Sequence, residues 1–167
     1  MRLLQSRGGK SWLHVSDGGV KESGAYIYTM KYDFPKAVEK MTILIVDGHS
    51  IVRERLTAII NATPDLVVCG EAENTTQAVN LLTTLKPDAA IVNFSIDGSV
   101  GLDSIKALKS NHPELPVIAS IMHNENALAE KAIEVGAQGC ITGSIGAEGL
   151  STDKDVIDSV RRVLAAT

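Results

Sequence analysis

Four short apolar runs in this chain end on side chains or loops that could do chemistry. Thr42-Ile-Leu-Ile-Val-Asp47 ends on a carboxylate, followed by Gly48 and His49. Ala89-Ala-Ile-Val-Asn93 ends on a carboxamide and opens the stretch Asn93 to Gly101, which holds Ser95 and Asp97. Pro116-Val-Ile-Ala-Ser-Ile121 leads into Met122 and His123, and Gly139-Cys-Ile-Thr142 leads into the glycine-rich Thr142-Gly-Ser-Ile-Gly-Ala-Glu-Gly149. Catalysis needs convergent groups in matched acid, base or nucleophile roles. One carboxylate, one amide and two histidines do not make such a set. No Gly-x-Gly-x-x-Gly follows a run, and no phosphate loop ends in Gly-Lys-Ser or Gly-Lys-Thr. Gly48 precedes the start of a helix, where an anion could bind, but one glycine is a weak signal.

The elements that must carry these residues are legible from periodicity. The four runs and a fifth, Leu66-Val-Val-Cys-Gly70, alternate with helical stripes. The stripes are Val52, Leu56, Ile59 and Ile60; Ala78, Leu81, Leu82 and Leu85; Leu102, Ile105 and Leu108; Leu128, Ala132 and Ile133; and Val156, Ile157, Val160, Val163 and Leu164. Asn74-Thr-Thr-Gln77 reads as a capping box, and Pro87 closes the helix it opens. Strands buried on both faces read as continuous apolar runs, each helix supplying a right-handed crossover. The fold class is therefore α/β, a doubly wound five-stranded parallel sheet with helices on both faces. Ligands of such sheets sit beyond the carboxyl ends of the strands.

The segments Ile43-Leu-Ile-Val-Asp-Gly-His49, Pro87-Asp-Ala-Ala-Ile-Val-Asn93 and Gly136-Ala-Gln-Gly-Cys-Ile-Thr142 resemble the receiver domain of bacterial response regulators. Phe94-Ser-Ile-Asp-Gly-Ser-Val-Gly-Leu102 fits that family's spacing after its third strand. The flavour is that of receivers preceding a helix-turn-helix output domain, and the resemblance runs from Met41 to about Ala166. It implies a flavodoxin-like sheet of order 2-1-3-4-5 and a place in two-component, phosphorelay signalling.

The resemblance also shows what is missing. The phosphoryl-accepting aspartate of the family falls on Asn93, whose neutral amide cannot form an acyl phosphate. Of the two acidic residues expected after the first strand, Asp47 is kept and the second is Gly48. The switch hydroxyl falls on Ile121, with Ser120 one residue early and so on the opposite side by strand alternation. The lysine expected after the fifth strand falls on Gly143. Asp47 plus neutral oxygens carries too little charge to dehydrate Mg²⁺, so no metal or other cofactor is expected. Asn93 is read as an amide satisfied by Asp47 or nearby backbone. His49 and His123 are read as solvent-facing. Cys69 and Cys140 fall on opposite edges of the implied sheet and act as apolar filler.

Composition agrees with such a module. Sixteen basic against twenty acidic residues, with 44% hydrophobic and 22% charged, describe a globular chain and argue against a wholesale nucleic-acid binder. No apolar run is long enough to span a membrane, and the expected compartment is the cytoplasm. Five of the six aromatics, Trp12, Tyr26, Tyr28, Tyr32 and Phe34, lie in residues 1–40, which carry +3, whereas residues 41–167 carry −7. Two units follow: an extension over 1–40, either a tail or a small hairpin, and a receiver-like domain over 41–167. The expected function is a phosphorylation-independent receiver that works by protein–protein contact and is not an enzyme. The contact face would be the fourth helix, fifth strand and fifth helix (Glu125–Val135, Gly139–Thr142, Asp153–Ala165), with a protein partner that includes a second copy of the chain. Two alternatives stay open: the receiver portion of a DNA-binding transcriptional regulator without its output domain, and a small-ligand-binding protein on the same fold.

Overall fold

A computed structural model describes residues 39–94, 99–121, 126–143 and 152–166. The hairpin or tail expected over residues 1–40 falls outside them apart from Glu39 and Lys40, as do Ser95, Asp97, His123 and the glycine-rich stretch beyond Gly143.

Strands and helices alternate along the chain: β1 Met41–Val46, α1 Ser50–Asn61, β2 Leu66–Ala72, α2 Thr75–Leu85, β3 Ala89–Asn93, α3 Ser99–Asn111, β4 Val117–Ile121, α4 Asn126–Glu134, β5 Gly139–Thr142 and α5 Asp153–Ala165. All neighbouring strands pair in parallel, in the order β2-β1-β3-β4-β5. This is the flavodoxin-like order implied by the resemblance.

Successive strand side chains face opposite ways, and that alternation builds two cores. Leu44, Val46, Ala90, Val92, Val117, Ala119 and Ile121 meet Ala78, Leu82, Ile105, Leu108 and Ala132 from α2, α3 and α4. Ile43, Ile45, Ala89, Ile91, Ile118 and Ile141 meet Leu56, Ile59 and Ile60 of α1 and Val156, Ile157, Val160 and Val163 of α5. The sheet is covered on both faces, which is why its strands lack a polar side.

Local chemistry ends the helices where the cores require it. Asn74 caps α2 by accepting from the Gln77 amide at 3.0 Å, while Gln77 Oε1 accepts from the Glu73 amide at 2.8 Å, so the reciprocal bond reaches one residue further back than in a capping box. Lys86 leaves α2 in the left-handed region at φ 46, and Asp88 then accepts both Thr42 N–H and Thr42 Oγ1 at 2.7 Å, tying the start of β3 to β1. At α5, Thr152 and Asp155 form a full capping box.

Two stripe residues depart from expectation. Ile133 is 50% exposed and Leu85 36%. On α4 the packed residues are Leu128, Ala129 and Ala132, followed by Val135 just past the helix, and Ile133 stands about 100° round from Ala132. β2 also runs two residues further than its apolar run. A register shift opposite Ile43/Leu44 leaves Cys69 without a partner in the ladder, and the strand continues through Gly70 and Glu71 to Ala72. That bulge carries Glu71 and Glu73 to the end of the sheet where Asp47 lies.

Candidate functional site

β1 and β3 are adjacent, so their carboxyl ends deliver Asp47 and Asn93 to one place. Both line a pocket of about 120 Å³ together with Val46, Gly48, His49, Glu73, Val92 and Ser104. Asp47 is 3% exposed. Its Oδ1 accepts from the His49 amide at 2.8 Å and meets His49 Nδ1 at 2.9 Å. A carboxylate only accepts, so this contact is a hydrogen bond in the tautomer with the proton on Nδ1. The His49 side chain is 67% exposed, solvent-facing as expected, while its Nδ1 also touches the pocket carboxylate. His49 is also the N-cap of α1, yet its side chain makes no capping bond.

The expectation of a satisfied Asn93 amide fails. Asn93 Oδ1 and Asp47 Oδ2 are buried and neither has a hydrogen-bond partner. Backbone pairing holds the amide in place: the next residue, Phe94, donates its N–H to Ser120 O at 2.7 Å, and Asn93 is the register partner of Ser120. Partners in a parallel ladder point to the same face, so Ser120 shares the face of Asn93. Ile121 lies on the other, fully buried with Val92 and Phe94.

Arg53, on the first turns of α1, organises the pocket from behind. Its Nη1 donates to the Asp47 carbonyl at 2.8 Å, Nη2 to Glu73 Oε1 at 3.0 Å and Nε to Glu71 Oε2 at 3.3 Å. Thr57 Oγ1 donates to the other Glu71 oxygen at 2.7 Å. Nothing in residue spacing announces this cluster, because the β2 bulge brings the glutamates within reach. The remaining wall is Ser104 of α3, fully buried and 2.7 Å from Thr75 Oγ1 of α2.

Gly48 has room for a side chain: an added Cβ would find only Glu73 O, at 3.7 Å. Gly143 does not have that freedom. It is buried at φ 108 and donates its N–H to Ile121 O at 2.8 Å, a backbone conformation that strains any residue with a Cβ. Among the described residues no three His, Cys, Asp or Glu side chains gather as a metal set. Cys69 and Cys140 are both free thiols on the edge strands, and burial pushes the pKa of each upward.

Residues 43–153 match the model of the response regulator receiver domain. The chain belongs to that family. This receiver is 36% identical over 108 residues to the transcriptional regulatory protein YdfI of Bacillus subtilis, a match covering 65% of the chain and 50% of YdfI. It is 32% identical over 104 residues to a protein-glutamate methylesterase/protein-glutamine glutaminase of Pyrococcus abyssi, covering 62% of the chain and 28% of that protein. Among solved structures it superposes on the response regulator domain of CheB from Thermotoga maritima with a TM-score of 0.67 at 25% identity, covering 76% of this chain and 98% of that one. A LuxR-family two-component response regulator from Aurantimonas gives a TM-score of 0.68 at 26% identity, covering 77% and 87%. The receiver thus spans half or less of the two curated relatives named here.

Proposed function

We propose that this receiver passes signals by protein contact without being phosphorylated at its strand ends. One observation carries the reading: the side chain delivered by the end of β3 into the pocket is the carboxamide of Asn93, beside a single carboxylate, Asp47. A carboxamide is not a nucleophile for phosphoryl transfer. Mg²⁺ takes near-octahedral oxygen ligands, usually with one or two carboxylates and a substrate phosphate. The pocket offers one carboxylate oxygen and one amide oxygen, and the Glu73 carboxylate is held by Arg53. The residues present do not fit the ion.

Without that switch, control falls to whatever binds one conformation better than another. The face made by α4, β5 and α5 is the proposed contact surface, for a protein partner or a second copy of the chain, and the half-exposed Ile133 on α4 is an apolar contact for it. The decisive experiment is intact-mass measurement after incubation with acetyl phosphate and Mg²⁺. The expected result is no added phosphoryl group; stoichiometric addition overturns the proposal.

A second reading has its own support. The matched region covers half of a transcriptional regulatory protein, which suits a receiver that belongs to a DNA-binding regulator. Genomic sequence following the Thr167 codon tests it, with an in-frame helix-turn-helix as the supporting outcome.

A further inference from the structure

The pocket at the ends of β1 and β3 contains two buried oxygens with nothing to accept from, Asp47 Oδ2 and Asn93 Oδ1. The histidine, guanidinium and hydroxyl donors around them are already engaged. His49 Nδ1 meets the other Asp47 oxygen, and the Arg53 guanidinium is shared among the Asp47 carbonyl, Glu71 and Glu73. Ser104 Oγ is engaged with Thr75 Oγ1. No lysine or arginine lines the pocket among the described residues. A buried acceptor left without a donor is costly, and a buried carboxylate more so.

A group that suits these two oxygens donates hydrogen bonds, and the local charge favours a cation. Glu71 and Glu73 are paired with Arg53, which leaves the carboxylate of Asp47 as the one unpaired negative side chain in the described lining. The space, about 120 Å³, equals that of roughly four liquid waters and holds one small head group. A dication lacks the ligand charge it needs. A primary ammonium carries one positive charge and three N–H donors, which suits two orphaned oxygens and the Ser104 hydroxyl.

We propose that this pocket binds a primary ammonium group, supplied by a small amine or by a lysine side chain of a protein partner. The proposal rests on the reading above that the pocket does not gather Mg²⁺, and it gives that reading a ligand: a positive donor from outside takes the place between Asp47 and Asn93.

The test is an amide NMR titration of the ¹⁵N-labelled full chain with methylammonium chloride, alongside sodium chloride at equal ionic strength and tetramethylammonium chloride. Saturable shifts at Gly48, His49, Asn93 and Phe94 are expected with methylammonium only, since tetramethylammonium has the charge but no N–H. Asn93→Leu and Asp47→Asn should each weaken the response at least tenfold. N-acetyl-lysine methylamide separates the sources: binding as strong as that of methylammonium supports a partner's lysine, and much weaker binding supports a free amine. A response shared by sodium or tetramethylammonium overturns the proposal, whether or not the variants fold. So does silence, the result expected if Asn93 turns its NH₂ onto Asp47 Oδ2. A separate arm with MgCl₂ keeps the two readings apart, because saturation there refutes the reading that the pocket does not gather Mg²⁺, whatever the amines do.

Discussion

Arg53→Met isolates the cluster that residue spacing did not reveal. Methionine keeps most of the aliphatic stem and removes every donor of the guanidinium, whose side chain is 11% exposed. The largest loss is at the Asp47 carbonyl, which is left buried without its donor at a cost of about 1–3 kcal/mol. Glu71 and Glu73 are 37% and 64% exposed and regain water, so each ion pair contributes only about 0–1 kcal/mol. Together the substitution should cost about 2–4 kcal/mol, or a fall in Tm of roughly 6–15 °C for a domain of this size. Urea unfolding followed by circular dichroism measures it, with an unchanged m-value showing that the unfolded state is not the cause. Glu73→Gln retains an acceptor for Nη2 and should stay within about 0.5 kcal/mol of the parent. A loss below about 0.5 kcal/mol in Arg53→Met, or an equal loss in Glu73→Gln, refutes the assignment of the stabilisation to the Asp47 carbonyl.

The remaining predictions concern the pocket and its supports. Gly48→Asp with Asn93→Asp should raise Mg²⁺ affinity at least about tenfold, roughly 1.4 kcal/mol, by isothermal titration, because the Gly48 position admits a Cβ and the site then holds three carboxylates. Gly101→Ala should destabilise the domain by about 1–3 kcal/mol in chemical denaturation. An added Cβ there would stand 2.5 Å from Asn93 O and 2.9 Å from the Phe94 Cα, and backbone yields only by moving the end of β3. The hydrogen bond from Arg161 lowers the pKa of Asp65 below its ordinary 3.8, and the Thr152 hydroxyl does the same for Asp155. A lowered folded-state pKa stabilises the protein above the unfolded value, and the benefit is lost as pH falls through the folded one. Asp65→Asn should therefore be less stable than the parent near neutrality, and the gap should close as pH drops below about 4 in an acid-unfolding series.

Much of the fold was readable because it depends on local pattern. The runs ending at Asp47, Asn93, Ile121 and Thr142 became strands within a residue of the expected bounds. The helix stripes identified the faces that meet the sheet, apart from Ile133 and Leu85. The adjacency of Asp47 and Asn93 was legible only through the strand order that the family resemblance implied; periodicity alone does not say which strands are neighbours. Arg53 and Glu71 were invisible for a different reason. A buried arginine on an otherwise apolar stripe gains meaning only from its partners, and the partner glutamate follows a bulge that shifts register by one residue.

By itself, then, the chain's order of residues determined the alternation of elements, the lack of a carboxylate at position 93 and the shortage of charge after β1, since these need only residue types and periodicity. Tertiary structure alone decided how the polar atoms are satisfied. It joined Arg53 to the Asp47 carbonyl, set His49 against Asp47 and left Asp47 Oδ2 and Asn93 Oδ1 without donors. Hydrogen bonds depend on positions within a few tenths of an ångström, reached by segments far apart in the chain, and no periodicity encodes that.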